Sequence, residues 1–148
     1  MFINFTGLNP PAPEPQQPDP RFDADELLLL WSLRRMAVAW PRCHAVHIAL
    51  QQAYGDNGLG VEHLIRCWLE RLTLRATRRL VIGEPGCALV LRDEATLLLA
   101  LRTAGDGSGR ASAALVAVTG EAGAGDLEPM LLALRDLART QPRGRARR

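Results

Sequence analysis

Lysine is absent from this chain: all eighteen basic side chains are arginine. That excludes Schiff-base catalysis and lysine-dependent phosphate binding, because a guanidinium stays charged and cannot act as a titratable amine. A G/C-rich coding sequence produces the same bias, which points to a bacterial gene. Cysteine is scarce and odd in number, with only Cys43, Cys67 and Cys87. Three thiols do not make a disulfide scaffold, and no basic leader opens the chain as a secretory signal would. Reduced thiols in a cytoplasmic protein are the expectation. Long hydrophobic runs are also missing. A stretch such as Leu27 to Trp31 falls far short of the roughly 20 residues that cross a bilayer, so no membrane span is expected.

What is there amounts to 148 residues, 47% hydrophobic and 23% charged. This is the mixture of one soluble globular domain, long enough to bury about two-thirds of its unfolded surface. The net charge is +2, but Arg143, Arg145, Arg147 and Arg148 carry four positive charges, which leaves −2 on the rest of the chain. The basicity belongs to a tail and gives the folded body no cationic face for nucleic acid. At the other end six prolines crowd residues 10–20, favouring extended polyproline II backbone with little to bury. The organisation read from this is a disordered proline-rich arm over 1–21, a globular helical domain over 22–141 and a flexible arginine-rich tail over 142–148. Pro10 and Pro13, or Pro15 and Pro18, have the spacing of a P-x-x-P docking ligand, a match that proline-rich stretches make readily by chance.

Hydrophobic periodicity predicts a mainly α, compact helical bundle of about five helices. Asp23 followed by Glu26 forms a capping-box pattern, after which Leu29, Leu33, Met36 and Trp40 recur on one face, with Arg34 and Arg35 away from its centre. A second helix is expected from about Arg42 to Tyr54 and a third from Val61, joined through Gly55–Gly60 as an antiparallel hairpin. Further on, Leu80–Ile82 and Ala88–Leu91 flank Glu84-Pro85-Gly86, a pattern that allows one short β-hairpin near 80–91. Asp93 to about Thr103 reads as a helix with its acids at the positive end. Ala113–Val118 is ambiguous between helix and strand, because alanine favours the former and valine the latter. Asp126 to about Arg139 is the last helix, with Asp126 as its N-cap.

Cys43 and His47, then His63 and Cys67, each sit four residues apart on helices expected to be neighbours. Two cysteines and two histidines are a known zinc set. Helical angles argue against convergence: Cys43 falls on the second helix's apolar face and His47 at its margin, while His63 lies nearly opposite the third helix's inner face and Cys67 on its far flank. Ordinary packed thiols and surface histidines are therefore expected, with no metal and no cofactor. Gly120 to Leu127 has the glycine spacing of a phosphate-binding loop, but Asp126 stands where its lysine belongs and Leu127 where its hydroxyl belongs, so nucleotide hydrolysis is not expected. Cys87, after the Gly86 turn, is the thiol expected to be most accessible, with only Arg92 near in sequence to depress its pKa. No nucleophile elbow is present, and Asp93-Glu94 suit a helix start better than paired acid–base work.

No catalytic residue stands out, and the chain is not expected to be an enzyme. The leading expectation is a non-catalytic protein-interaction or self-associating helical module, with excess apolar surface at Leu27–Leu30 and Leu97–Leu99 meeting a protein partner or a second copy. Two alternatives accompany it. One is a nucleic-acid accessory protein that contacts phosphates through Arg143, Arg145, Arg147 and Arg148. The other is a zinc or redox module using Cys43, His47, His63 and Cys67.

Overall fold

The computed structural model describes residues 4–5, 19–39 and 42–139. Six α-helices make up nearly all of the regular structure among these residues. They are α1 (Ala24–Val38), α2 (His44–Tyr54), α3 (Gly58–Arg75), α4 (Arg92–Thr103), α5 (Arg110–Thr119) and α6 (Glu128–Arg139). Two strands, β1 (Asn4–Phe5) and β2 (Val81–Ile82), add a parallel pair in which Asn4 faces Val81 and Phe5 faces Ile82. The mainly helical class holds. The proline-rich arm falls largely outside the described residues, and the arginine-rich tail wholly so.

α1 starts where the sequence signals it. The Asp23 carboxylate accepts from the Glu26 N–H at 2.8 Å, and the Glu26 carboxylate accepts from the Asp23 N–H at 2.9 Å. These bonds satisfy two donors that the helix itself cannot. Glu26 also accepts two bonds from the Arg102 guanidinium, at 2.8 Å each, tying the start of α1 to α4. α3 packs against α1, α2 and α6, while α4 packs against α5, α6 and β2. Met36, Leu50, Ile65, Leu72, Leu97, Leu115 and Leu131 fill the space between them and are fully buried. At the α2–α3 corner Gly58 is obligatory: an added Cβ would stand 2.7 Å from the Leu50 carbonyl oxygen.

One ambiguity is resolved and two expectations are corrected. Ala113–Val118 is helical and raises the helix count to six. Gly109 and Gly120, at φ 75° and 74°, bracket α5 with left-handed residues that stop the chain from extending. The hairpin near 80–91 does not form. The Cys87 N–H closes a turn onto the Glu84 carbonyl at 2.9 Å, yet β2 takes β1 as its partner, and residues 88–91 are no strand. The reason is Arg34, which is buried at 4% exposure despite its expected place off the apolar stripe. Its guanidinium takes the carbonyls of Cys87 and Leu89 at 2.5 and 2.7 Å, removing the acceptors that a second strand needs. Finally, Asp126 does not cap α6. It lies inside a 3-10 turn over Ala124–Leu127, and its carboxylate accepts from the Arg75 guanidinium at 3.0 Å.

Candidate functional site

α2 begins at Cys43, whose extended backbone (φ −127°, ψ 114°) makes it the N-cap residue. Its side chain makes no capping hydrogen bond to the first turn. Burial alone would push the thiol pKa up. The Val46 N–H, the Arg35 guanidinium and the Ala45 N–H outweigh that, and the net direction is down. These donors favour the thiolate in a side chain only 7% exposed.

One turn along, His47 reaches across to α3. Its Nδ1 lies 2.7 Å from Glu62 Oε2, and Glu62 Oε1 accepts from Arg66 Nη2 at 3.3 Å. In that pairing the ring N–H at Nδ1 donates to the carboxylate oxygen, which leaves Nε2 as the ring nitrogen not engaged by Glu62. Orientation of an imidazole by a buried carboxylate is the arrangement that prepares such a nitrogen to bind a proton, a metal or a polar ligand. His63, the next residue on α3, is exposed, with Nε2 3.5 Å from the Cys67 sulfur.

These groups share an open cleft of about 600 Å³ between the start of α2 and the first half of α3, whose lining also includes Arg42, His44 and Leu59. All three histidines of the chain line it. Of the four residues weighed as zinc ligands, Cys43, His47 and His63 reach the cleft, and Cys67 is not among its lining residues. No cluster of three or more His, Cys, Asp or Glu among the described residues is placed to hold a metal ion. Angular reasoning put His63 on the outer side of α3, and it is indeed exposed. What that reasoning missed is that the face α3 turns to α2 differs from the one it turns to the core, so the cleft collects side chains from both helix margins. Glu62 and Arg66 were missed as well. The signal available was an acid beside His63 with an arginine four residues on, a pair at helical spacing.

The other polar assemblies are closed. Glu94 is fully buried and accepts from Arg34 Nε at 2.7 Å, Arg34 Nη2 at 2.6 Å, the Gly83 N–H at 2.8 Å and the Leu91 N–H at 2.8 Å. Asp93 takes Arg78 in a bidentate pair at 2.7 and 3.1 Å and the Val81 N–H at 2.9 Å. A second cleft of about 570 Å³ opens beside that pair, with its strongest acid already neutralised. Cys87 is half-buried, and its sulfur lies 3.5 Å from the Leu89 carbonyl. The glycines of 120–127 serve packing: Gly125 sits against Ser112, whose Oγ would collide with any Cβ there. Arg143, Arg145, Arg147 and Arg148 lie outside the described residues.

No helix among the described residues is long and apolar enough to cross a membrane. Comparison with protein families, curated proteins and solved structures finds no match to this chain.

Proposed function

We propose that this chain is a small helical thiol module, which holds or exchanges a ligand in the α2–α3 cleft through the Cys43 sulfur. The observation that carries this reading is the gathering of Cys43 with all three histidines around one open cleft at a helix N-terminus. Donors to the sulfur favour the nucleophilic, metal-avid form of a thiol. His47, held by Glu62, presents a basic nitrogen at the same wall. No donor among those that lower the Cys43 pKa is an imidazole, so the reading is thiol capture and assigns no acyl-transfer triad.

Alkylation with iodoacetamide, mapped by peptide mass spectrometry, tests it. An ordinary thiol of pKa about 8.5 loses roughly eightfold in reactive thiolate between pH 8 and pH 7. Cys43, whose pKa is lowered, should lose less than the ordinary thiol does over the same interval. A Cys43 profile that follows the ordinary thiol, or a Cys43 that is never labelled in the folded protein, removes the reading.

A second reading, contact with a protein partner or another copy, has a narrower base than the leucine runs suggested. Leu29, Leu30, Leu97 and Leu98 are buried in the core. Its support is Leu99 of that second run, exposed at 40%, together with Ile48 on α2 and Leu59 on α3, at 40% and 60% exposure. Light scattering that finds only the 16.2 kDa species at high concentration would remove self-association.

A further inference from the structure

His44, His47 and His63 are all the histidines of this chain, and all of them line the α2–α3 cleft. Each wall brings a guanidinium as well: Arg42 just ahead of α2, beside His44 and His47, and Arg66 on α3, beside His63. Arg42 and His44 are exposed, and among the described residues neither makes an ion pair. Arg66 is loosely held, with a bond to Glu62 at 3.3 Å and an Nε donor that has no acceptor among those residues. Glu62, the one carboxylate of the lining, is 5% exposed and already engaged by His47 and Arg66. The first turns of α2 and α3 add no acid. A solute entering the cleft therefore meets donors from two sides, with no open carboxylate to compete for them.

We propose that this cleft binds an organic phosphate monoester of low molecular weight. Such a phosphate carries a charge of about −1.5 to −2 at pH 7 and three terminal oxygens, so it accepts from both walls at once. A carboxylate offers one charge and two coplanar oxygens, enough for one wall. With no lysine in the chain, the guanidinium forks supply the charge-assisted bonds. The cleft's volume of about 600 Å³ lies within the range of about 300–1,000 Å³ typical of small-molecule sites, and exceeds what a bare phosphate fills. Leu59, in the same lining and 60% exposed, gives the organic part an apolar surface. This binding uses no sulfur chemistry and so goes beyond the thiol reading.

The full chain is titrated at pH 7 with phenyl phosphate, benzoate and inorganic phosphate, and the histidine ring C–H signals are followed by NMR. Because every histidine lines the cleft, each ring reports on the site. Phenyl phosphate should shift the ring signals saturably and bind about tenfold more tightly than benzoate. Inorganic phosphate should shift the same signals with lower affinity. Arg42→Gln should weaken phenyl phosphate about fivefold. Arg71→Gln makes the same charge change at an exposed α3 position outside the lining, and should leave the affinity within about 1.5-fold. Ring signals unmoved by phenyl phosphate at about 10 mM, equal affinity for benzoate, or equal weakening by the two arginine variants each overturn the proposal. So does an oligothymidylate that moves the same signals at lower concentration than the monoester, since the ligand is then a nucleic acid. Alkylation of Cys43 is read separately, so either result can fail while the other stands.

Discussion

Of the four carboxylates buried among the described residues, Glu94 and Glu62 end up differently. Glu94 accepts four hydrogen bonds, two of them from backbone N–H groups of the 83–91 stretch and two from the buried Arg34. Glu62 accepts from His47 and Arg66, both partly open to a cleft, and Arg66 Nε is buried with no acceptor among the described residues. The first assembly has used up its valency in shaping a loop. The second leaves imidazoles along the wall of an open cleft. A closed polar network specifies architecture, whereas an unfinished one at a surface cleft is where a ligand finds partners.

Truncating each acid separates the two. Glu94→Ala strands a buried guanidinium and two loop amides, and should cost about 3–5 kcal/mol in urea denaturation. Glu62→Ala leaves His47 and Arg66 free to turn toward water, and about 1–2 kcal/mol is expected. Equal losses would erase the distinction between a clamp and a cleft. The smallest effect belongs to Asp93, which is closed like Glu94 but partnered by an arginine 40% exposed. Burial pushes its carboxyl up, yet Arg78, the Val81 N–H and the nearby Arg92 charge win, and the net direction is down. A folded value below the unfolded value of about 3.9 means that Asp93 contributes stability above pH 4, and that the contribution disappears as pH falls through the lowered value. Solvent screening at Arg78 limits this to about 1 kcal/mol. The stability gap between wild type and Asp93→Asn should accordingly narrow from pH 6 to pH 3, and a constant gap would show that ionisation is not its source.

Local signals carried much of the architecture. The Asp23–Glu26 box, the leucine stripe of α1 and the glycine-rich corner before α3 each act within one or two helical turns, so reading them needs no knowledge of distant partners. The failures came where a remote side chain decides. Nothing near Ala88–Leu91 announces that Arg34 will claim the carbonyls of Cys87 and Leu89. Gly120 has the spacing of a phosphate-loop glycine, although with Gly109 it brackets α5. At the site, Cys43, His47 and His63 were singled out as possible ligands. Glu62, which orients His47, passed unnoticed because a buried acid on a helix looks in sequence like any solvated one. The cleft itself lies at the seam between two helices, and a single helical wheel shows neither side of a seam.

The pairing of Arg34 with Glu94 also bears on how the chain assembles. These residues stand sixty positions apart, and helices form within about a microsecond while distant closures wait on loop entropy. Until α1 and α4 meet, the carbonyls of Cys87 and Leu89 lack the guanidinium that binds them both. The irregular passage between β2 and α4 thus owes part of its order to a contact made across sixty positions, although it is among the least regular parts of the finished molecule.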